Sequence, residues 1–407
     1  MLGAEFLKAG ANQPAQPGLP AESEQSAQAL VEQCLEAALQ LRASDIHVEP
    51  QVDKLAFRLR VDGMLKLWKE APLDVHQQVI ARLKGLAKLD VGEKRRSQEG
   101  RFALTTKLGM REYRISIVPI LDGEKAVVRL MHQEFSELSL KNIGYSEPNL
   151  KVISELLNKP HGLLLHCGPT DSGKTTALYA ALNQLSKSWR NVQTIEDPVE
   201  GRLPGVNQGQ VNVDVGQTFP SMLRSYLRQD CDVILIGEIR DAETAQLAVE
   251  AANAGHLVLA SLNAGNAISA LARLREFGVP QFFVTSALIG VVAQRLVRRI
   301  CKACRRPYQP SPEIQQECNL MPQHQLYQAV GCGQCAKLGY RGRLGVHEVL
   351  VLSTPLRDAI QSGASDAELY GLATHHGMIN LFTDGVFKCV AGYTTIEEVY
   401  KSVVLEG

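Results

Sequence analysis

Residues 10 to 28, GANQPAQPGLPAESEQSAQ, carry almost no large apolar side chains and cannot offset the entropy of ordering, so residues 1–26 read as a flexible tail. From Ala27 the pattern changes. Leu30, Val31, Cys34, Leu35, Ala38 and Leu39 recur at the spacing of one helix face. Ser44 to Glu49 and Lys54 to Val61 then alternate apolar with polar residues, as half-buried strands do, and Asp62-Gly63 closes the second with a turn. A helix from about Asp74 to Leu89 and strands near Arg101 to Thr106, Arg111 to Val118 and Lys125 to Met131 complete a small α+β domain over residues 27–135.

A linker is expected at 136–146. A helix from Pro148 to Leu157 then leads into the short apolar run Leu163 to Cys167. Beyond it the apolar strands Val192 to Ile195, Val233 to Ile236 and Leu257 to Ala260 alternate with helices at Phe219 to Arg228 and Ala242 to Ala254. Alternation of this kind predicts an α/β domain over 147–407 whose mostly parallel sheet is covered on both faces. Ligands of such sheets bind at the carboxyl ends of the strands, where the residues after Cys167, Ile195 and Ile236 all fall.

Those positions hold the candidate chemistry. Gly168, Pro169, Thr170, Asp171, Ser172, Gly173, Lys174 and Thr175, followed by Thr176, fit the phosphate-binding pattern G-x-x-x-x-G-K-[ST] between a strand and a helix. The glycines let the backbone curl so that its N–H groups point inward, and the positive helix end favours phosphate. Lys174 is expected to reach the β- and γ-phosphates of ATP, and Thr175 to offer its hydroxyl to Mg²⁺. Glu238, after a buried strand taken to lie beside the one that carries the loop, is the candidate to orient or deprotonate the attacking water; a helix-capping acid is the structural alternative. Glu196 and Asp197 form a second acidic pair near the same edge, either of which suits Mg²⁺ or its waters. His256 is open to two readings, a γ-phosphate sensor or a structural histidine at a strand start.

The 407 residues suffice for two or three domains, and 45% hydrophobic with 21% charged content is ordinary for a soluble globular chain. Forty-three basic and 43 acidic residues give zero formal charge, against a protein that coats nucleic acid. No apolar run approaches a membrane span, and MLGAEFLKAG lacks the core of a signal peptide, so a cytoplasmic location is expected. Among nine cysteines, Cys301-x-x-Cys304 and Cys332-x-x-Cys335 have the spacing of a closed tetrahedral Zn²⁺ site, a structural one, with chance cysteines or a redox pair as the alternatives. Cys34, Cys167, Cys231, Cys318 and Cys389 read as ordinary buried thiols. Arg295, Arg298, Arg299, Lys302, Arg305 and Arg306 cluster beside the first cysteine pair, either as a contact for nucleic acid or anionic lipid or, the commoner case, as a solvated face.

With these residues in hand, the chain from about Leu30 to its end resembles the ATPases that drive type II secretion and type IV pilus assembly. The motifs are RASDIHVEP (42–50), FRLRVDG ending at Gly63, GEKAVVRL (123–130), the phosphate loop, TIEDPVE (194–200), LRQDCDVILIGEIRDAETA (227–245), GHLVLASLNAGNA (255–267), AQRLVRRIC (293–301) and GYRGRLGVHEVL (339–350). The resemblance implies a homo-hexameric ring at the cytoplasmic face of the inner membrane, built from a PAS-like α+β N-terminal domain and a RecA-like P-loop ATPase domain. That second domain would include a tetracysteine zinc module at 298–345 and a C-terminal helical part at 346–407. Hydrolysis of ATP with Mg²⁺ would move the first domain against the second and pass force to an inner-membrane platform protein that assembles a pilus or pseudopilus; no nucleic-acid partner is implied. The family's phosphate-contacting arginines fall on Arg114 and Arg129, with further arginines at Arg224, Arg228 and Arg240, its acidic box on Glu196, Asp197 and Glu200, and its catalytic glutamate on Glu238.

The chain departs from the family pattern at several positions. Asp171 stands where glycine is usual, and a carboxylate pointing into the loop would weaken phosphate binding. Asn263 replaces the second histidine of the histidine box, leaving His256 alone, and Ala264 and Gly265 replace threonine and asparagine. Cys231 replaces a proline. The tail stands where secretion-branch members carry a further docking domain, so docking is expected through another surface or the tail itself. Asp171 and Asn263 keep open a second reading, a weakened paralogue that serves as a nucleotide-binding ring component. The phosphate loop, zinc and basic cluster keep open a third, a nucleic-acid motor.

Overall fold

The computed structural model describes residues 26–106, 109–131, 135, 137–187 and 189–404. Apart from Ser26, the stretch read as a tail lies outside them. The chain forms two compact units, Met1–Leu130 and Met131–Gly407.

In the first unit, Ser26 caps α1 (Ala27–Leu41) by accepting from the Ala29 N–H, and the helix buries Leu30, Val31, Cys34, Leu35 and Ala38, the face its spacing required. The strands are β1 (Ala43–Pro50), β2 (Lys54–Val61), β3 (Met64–Pro72), β4 (Gln98–Thr106), β5 (Gly109–Ile120) and β6 (Gly123–Leu130). They pair antiparallel in the order β3-β2-β1-β6-β5-β4, and α1 packs on α2 (His76–Leu86). The helix expected from Asp74 to Leu89 is shorter, because Leu73–Val75 form a 3₁₀ turn. β3 has no counterpart in the sequence reading: its burial is mostly intermediate, and Lys66, Lys69 and Glu70 blur the alternation. Register fixes the two faces. Phe57, Leu59, Ile46, Val128, Ile115 and Ile117 point into the core, while Arg60, Asp45, Arg129, Arg114 and Arg101 lie directly opposite one another in a row across the other face.

The second unit is built on β7 (Gly162–Cys167), β8 (Val192–Glu196), β9 (Asn207–Gln210), β10 (Val233–Ile236), β11 (Leu257–Leu262), β12 (Leu288–Ile300) and β15 (Tyr340–Val351). The small strands β13 (Arg306–Tyr308) and β14 (Leu326–Gln328) pair separately, within the β12–β15 connection. The seven-stranded order is β15-β12-β7-β11-β10-β8-β9, parallel from β12 to β9, with β15 antiparallel at one edge. Sequence reading put the strand before Glu238 beside the phosphate-loop strand. Instead β11 lies between β7 and β10, so the residues that follow β11 occupy the middle of the site. The polar edge strand β9 was also unread, since NQGQ has neither alternation nor β-branched residues.

Helices α3 (Glu147–Leu157), α4 (Lys174–Leu185), α5 (Phe219–Tyr226), α6 (Ala242–Asn253) and α7 (Ala267–Glu276) cover the sheet, followed by C-terminal helices between Thr354 and Val399. Leu163, Leu165, Ile234, Ile236, Val258 and Ala260 point into one buried core, and Leu164, Val233, Leu235, Leu257 and Leu259 into the other. Burial on both faces is why these strands read as continuous apolar runs. Of the stretch read as a linker, Leu140 and Tyr145 are core residues of this unit, and Asn183 donates to the carbonyl of Leu138.

Candidate functional site

The phosphate loop leaves β7 at Gly168 and enters α4 at Lys174. Both of its glycines are required. Gly168 has φ 155° and Gly173 φ 86°, and a Cβ on either would come within 2.5 Å of the Gln294 carbonyl or 2.7 Å of its Nε2. Gln294 Nε2 donates to the Ser172 carbonyl at 2.9 Å, so β12 supports the loop from behind. Pro169, Thr170 and Asp171 are exposed at its tip, and Asp171 takes the left-handed φ of 61°. The position thus favours the glycine usual in the family, but the exposed carboxylate does not fill the cradle.

Lys174 donates to the Gly168 and Pro169 carbonyls, each at 2.8 Å, and to Asn263 Oδ1 at 3.3 Å. Burial pulls its ammonium below the ordinary lysine value, opposed by the charge of Glu238. Asn263, just past β11, also donates from Nδ2 to Glu238 Oε1 at 2.7 Å. One amide therefore joins Lys174 to Glu238, a role the sequence reading missed by treating Asn263 as a departure. The strand order was the missing information. Glu238 Oε2 accepts from Arg240 Nε at 2.7 Å, and Arg240 also reaches Asp197 Oδ2 at 3.2 Å.

The acids separate by environment. Glu196, the last residue of β8, is 3% exposed and accepts from Tyr179, from Thr194 Oγ1 at 2.5 Å and from Gln208 Nε2 at 3.2 Å. Those bonds occupy it within the fold, so it is not presented to a cation beside the loop. Glu200 is the acid that meets the loop, accepting from Thr175 Oγ1 at 3.3 Å. His256 is not brought to the site. It precedes β11 at the amino edge of the sheet, where its Nδ1 lies 3.0 Å from the Ala251 carbonyl, and the six residues of β11 carry the chain roughly 20 Å before Asn263.

The model of the family described as type II/IV secretion system protein matches residues 20–401. The chain belongs to this family. It is 43% identical over 376 residues to the type II secretion system protein E of Dickeya dadantii, covering 91% of this chain and 74% of that one. It is 40% identical over 402 residues to the type IV pilus assembly ATPase PilB of Thermus thermophilus, covering 97% of this chain and 45% of that longer protein. In fold it is similar to the Legionella pneumophila ATPase DotB (TM-score 0.70, 19% identity, 95% and 98% of the two chains). It is likewise similar to the pilus retraction motor PilT with bound ADP (0.61, 23%, 91% and 96%).

Arg114 and Arg129, which the family resemblance singled out, belong to the arginine row of the first unit; Arg129 Nε donates to Asp45 at 2.8 Å and Arg114 to Glu99 at 2.6 Å. Arg224 instead pairs with Glu243 at 2.6 Å. Cys301, Cys304, Cys332 and Cys335 converge with all four sulfurs within 4.8 Å of one another. The distances of 3.9 Å for Cys301–Cys332 and 3.8 Å for Cys304–Cys335 and Cys332–Cys335 match the edge of about 3.8 Å in a tetrahedral zinc–thiolate site. Backbone N–H groups of Gly331, Cys332 and Gly339 point at Cys304 and Cys335 sulfurs, a donor set that suits thiolate ligands.

Much of the basic cluster is used internally. Arg295 is buried on the Gly265 carbonyl at 2.7 Å. Arg298 is paired with Glu398 and stacked on Tyr340. Arg305 donates to the Gly392 carbonyl and lies over Tyr327. Lys302 and Arg306 are exposed.

Proposed function

We propose that this protein is a Mg²⁺-dependent ATPase, working as a hexameric ring on the cytoplasmic face of the inner membrane to power assembly of a type II secretion pseudopilus or type IV pilus. The observation that carries the reading is the Lys174–Asn263–Glu238 bridge at the carboxyl edge of the parallel sheet, with Thr175 and Glu200 beside it. Loop N–H groups and Lys174 bind the phosphates. Glu238 orients the attacking water once Arg240 releases it, and Arg114 and Arg129 supply positive charge to phosphate oxygens during turnover. Thr175 and Glu200 would hold Mg²⁺, which neutralises charge on the phosphates when bound. The four cysteines hold Zn²⁺ in a structural role, and an inner-membrane platform protein receives the motion.

Lys174→Ala is expected to abolish ATP hydrolysis and to stop assembly or secretion in cells with it. Full assembly by that variant would remove the motor role. Asp171 at the loop tip favours a second reading, a ring component of weak turnover. Steady-state hydrolysis by the purified oligomer, with Glu238→Gln as the inactive control, separates the two: the motor reading requires turnover well above that control.

A further inference from the structure

Residues Gln294 and Arg295 follow one another on β12, just past the point where Ala293 pairs with Cys167 at the end of β7. Successive side chains on a strand point to opposite faces, and here each finds a different loop. Gln294 donates to the Ser172 carbonyl of the phosphate loop at 2.9 Å. Arg295 donates to the Gly265 carbonyl at 2.7 Å, two residues beyond Asn263, and to the Gln294 carbonyl at 3.2 Å. From β15, Glu348 accepts from the Ala267 N–H at 2.9 Å, and Arg295 and Glu348 attract each other electrostatically. The segment between β11 and α7 is therefore held at Gly265 by a guanidinium and at Ala267 by a carboxylate. Gln294, Arg295 and Glu348 are 2%, 4% and 2% exposed. Three buried polar side chains here all serve backbone groups of the loops that carry Lys174 and Asn263, and each fixes its loop at a defined backbone atom.

We propose that Gln294, Arg295 and Glu348 are positioning residues for phosphoryl transfer. Gln294 sets the phosphate loop, and Arg295 with Glu348 sets the Asn263 segment, so that the amide of Asn263 meets both Lys174 and Glu238. The inference rests on the role given above to Lys174 and Glu238. Disturbance of Gln294 acts on nucleotide binding, whereas disturbance of Arg295 acts on the chemical step through Asn263.

The test is a set of variants of the full chain, with kcat and KM for MgATP, the Kd of ADP and the thermal midpoint measured for each. Arg295→Lys keeps the buried charge but loses the fork, and is expected to lower kcat about tenfold or more with the ADP Kd within about twofold. Gln294→Ala is expected to raise KM and the ADP Kd together. The deciding measurement is the double variant with Asn263→Ala: if Arg295 acts through Asn263, adding Arg295→Lys to Asn263→Ala costs little further kcat. Independent, multiplicative losses would overturn the proposal, as would an Arg295→Lys protein whose kcat is unchanged, or one whose kcat and thermal midpoint fall while its ADP Kd rises. Should Arg295→Lys not fold, the same cycle run with Glu348→Gln carries the test. Hydrolysis that survives in Lys174→Ala would instead indict the underlying ATPase reading, a separate outcome.

Discussion

Asp171 combines two unfavourable properties in one residue. Its φ of 61° is a conformation that costs a non-glycine residue roughly 1 kcal/mol, eased for aspartate by its short polar side chain. Its carboxylate adds negative charge at the loop tip. Asp171→Gly is therefore expected to lower the KM for MgATP several-fold with little change in kcat, checked by steady-state kinetics. A KM unchanged even at low salt, where screening is weakest, would show that the exposed carboxylate does not act on the bound nucleotide. The phosphate loop was legible from sequence because its chemistry is contiguous. Asn263, Gln294 and Arg295 were not, because their roles depend on which strands adjoin β7. An amide between a lysine and a glutamate leaves no local pattern, and consecutive residues reaching opposite loops read in sequence only as part of the motif AQRLVRRIC and, for Arg295, of a basic run.

Two elements carry buried groups whose titration the whole unit must bear. His166 on β7 and His347 on β15 are fully buried, and neither ring nitrogen of His166 finds a hydrogen-bond partner among the described residues. Burial, with the nearby Lys174 charge, pushes His166 down to about 3; burial, with Lys388 and His166, lowers His347 well below the ordinary value. The folded protein thus refuses protons that the unfolded chain accepts near pH 6.5. Stability from this source is complete above that pH and is lost progressively as pH falls towards the depressed values, by about 1.4 kcal/mol per pH unit for each histidine. His166→Gln, which does not titrate, is expected to flatten the fall in unfolding free energy between pH 6.5 and 4.5, measured with urea. An unchanged slope would assign the acid sensitivity elsewhere.

The cysteine module was legible at the same scale, since two C-x-x-C pairs announce themselves by spacing, whereas the long strand pair that carries it was not. It lies within the connection between β12 and β15, whose pairing runs from Gly290–Val351 to Ile300–Tyr340. Cys332→Ser, or chelation, is expected to abolish near-stoichiometric zinc and to lower the thermal midpoint by several degrees, read by metal analysis and melting. Full metal content in that variant would rule out the four-thiolate site.

At the scale of the whole molecule, the arginine row of the first unit separates stability from activity. Arg114 lies opposite Arg129 on one side and Arg101 on the other. Like charges so placed repel, and the ion pair of Arg114 with Glu99 is exposed and worth little. Arg114→Ala is accordingly expected to leave unfolding free energy within about 0.5 kcal/mol of the parent while lowering ATP turnover at least tenfold, if its charge serves phosphate. Equal turnover in parent and variant would return the row to surface decoration. The parallel sheet was readable from periodicity, whereas the order of its strands, a property of pairing across nearly two hundred residues, was not.

The packing of β12 behind the phosphate loop also bears on how this motor can vary. Gly168 is pressed against the Gln294 backbone carbonyl and Gly173 against the Gln294 side-chain amide, so a side chain at the first displaces the strand and one at the second displaces the amide that holds Ser172. The tip at Thr170 and Asp171 faces solvent and meets no such wall. Room for a new side chain in this loop therefore lies on its outer surface, and a charged residue at position 171 is the kind of change that room permits.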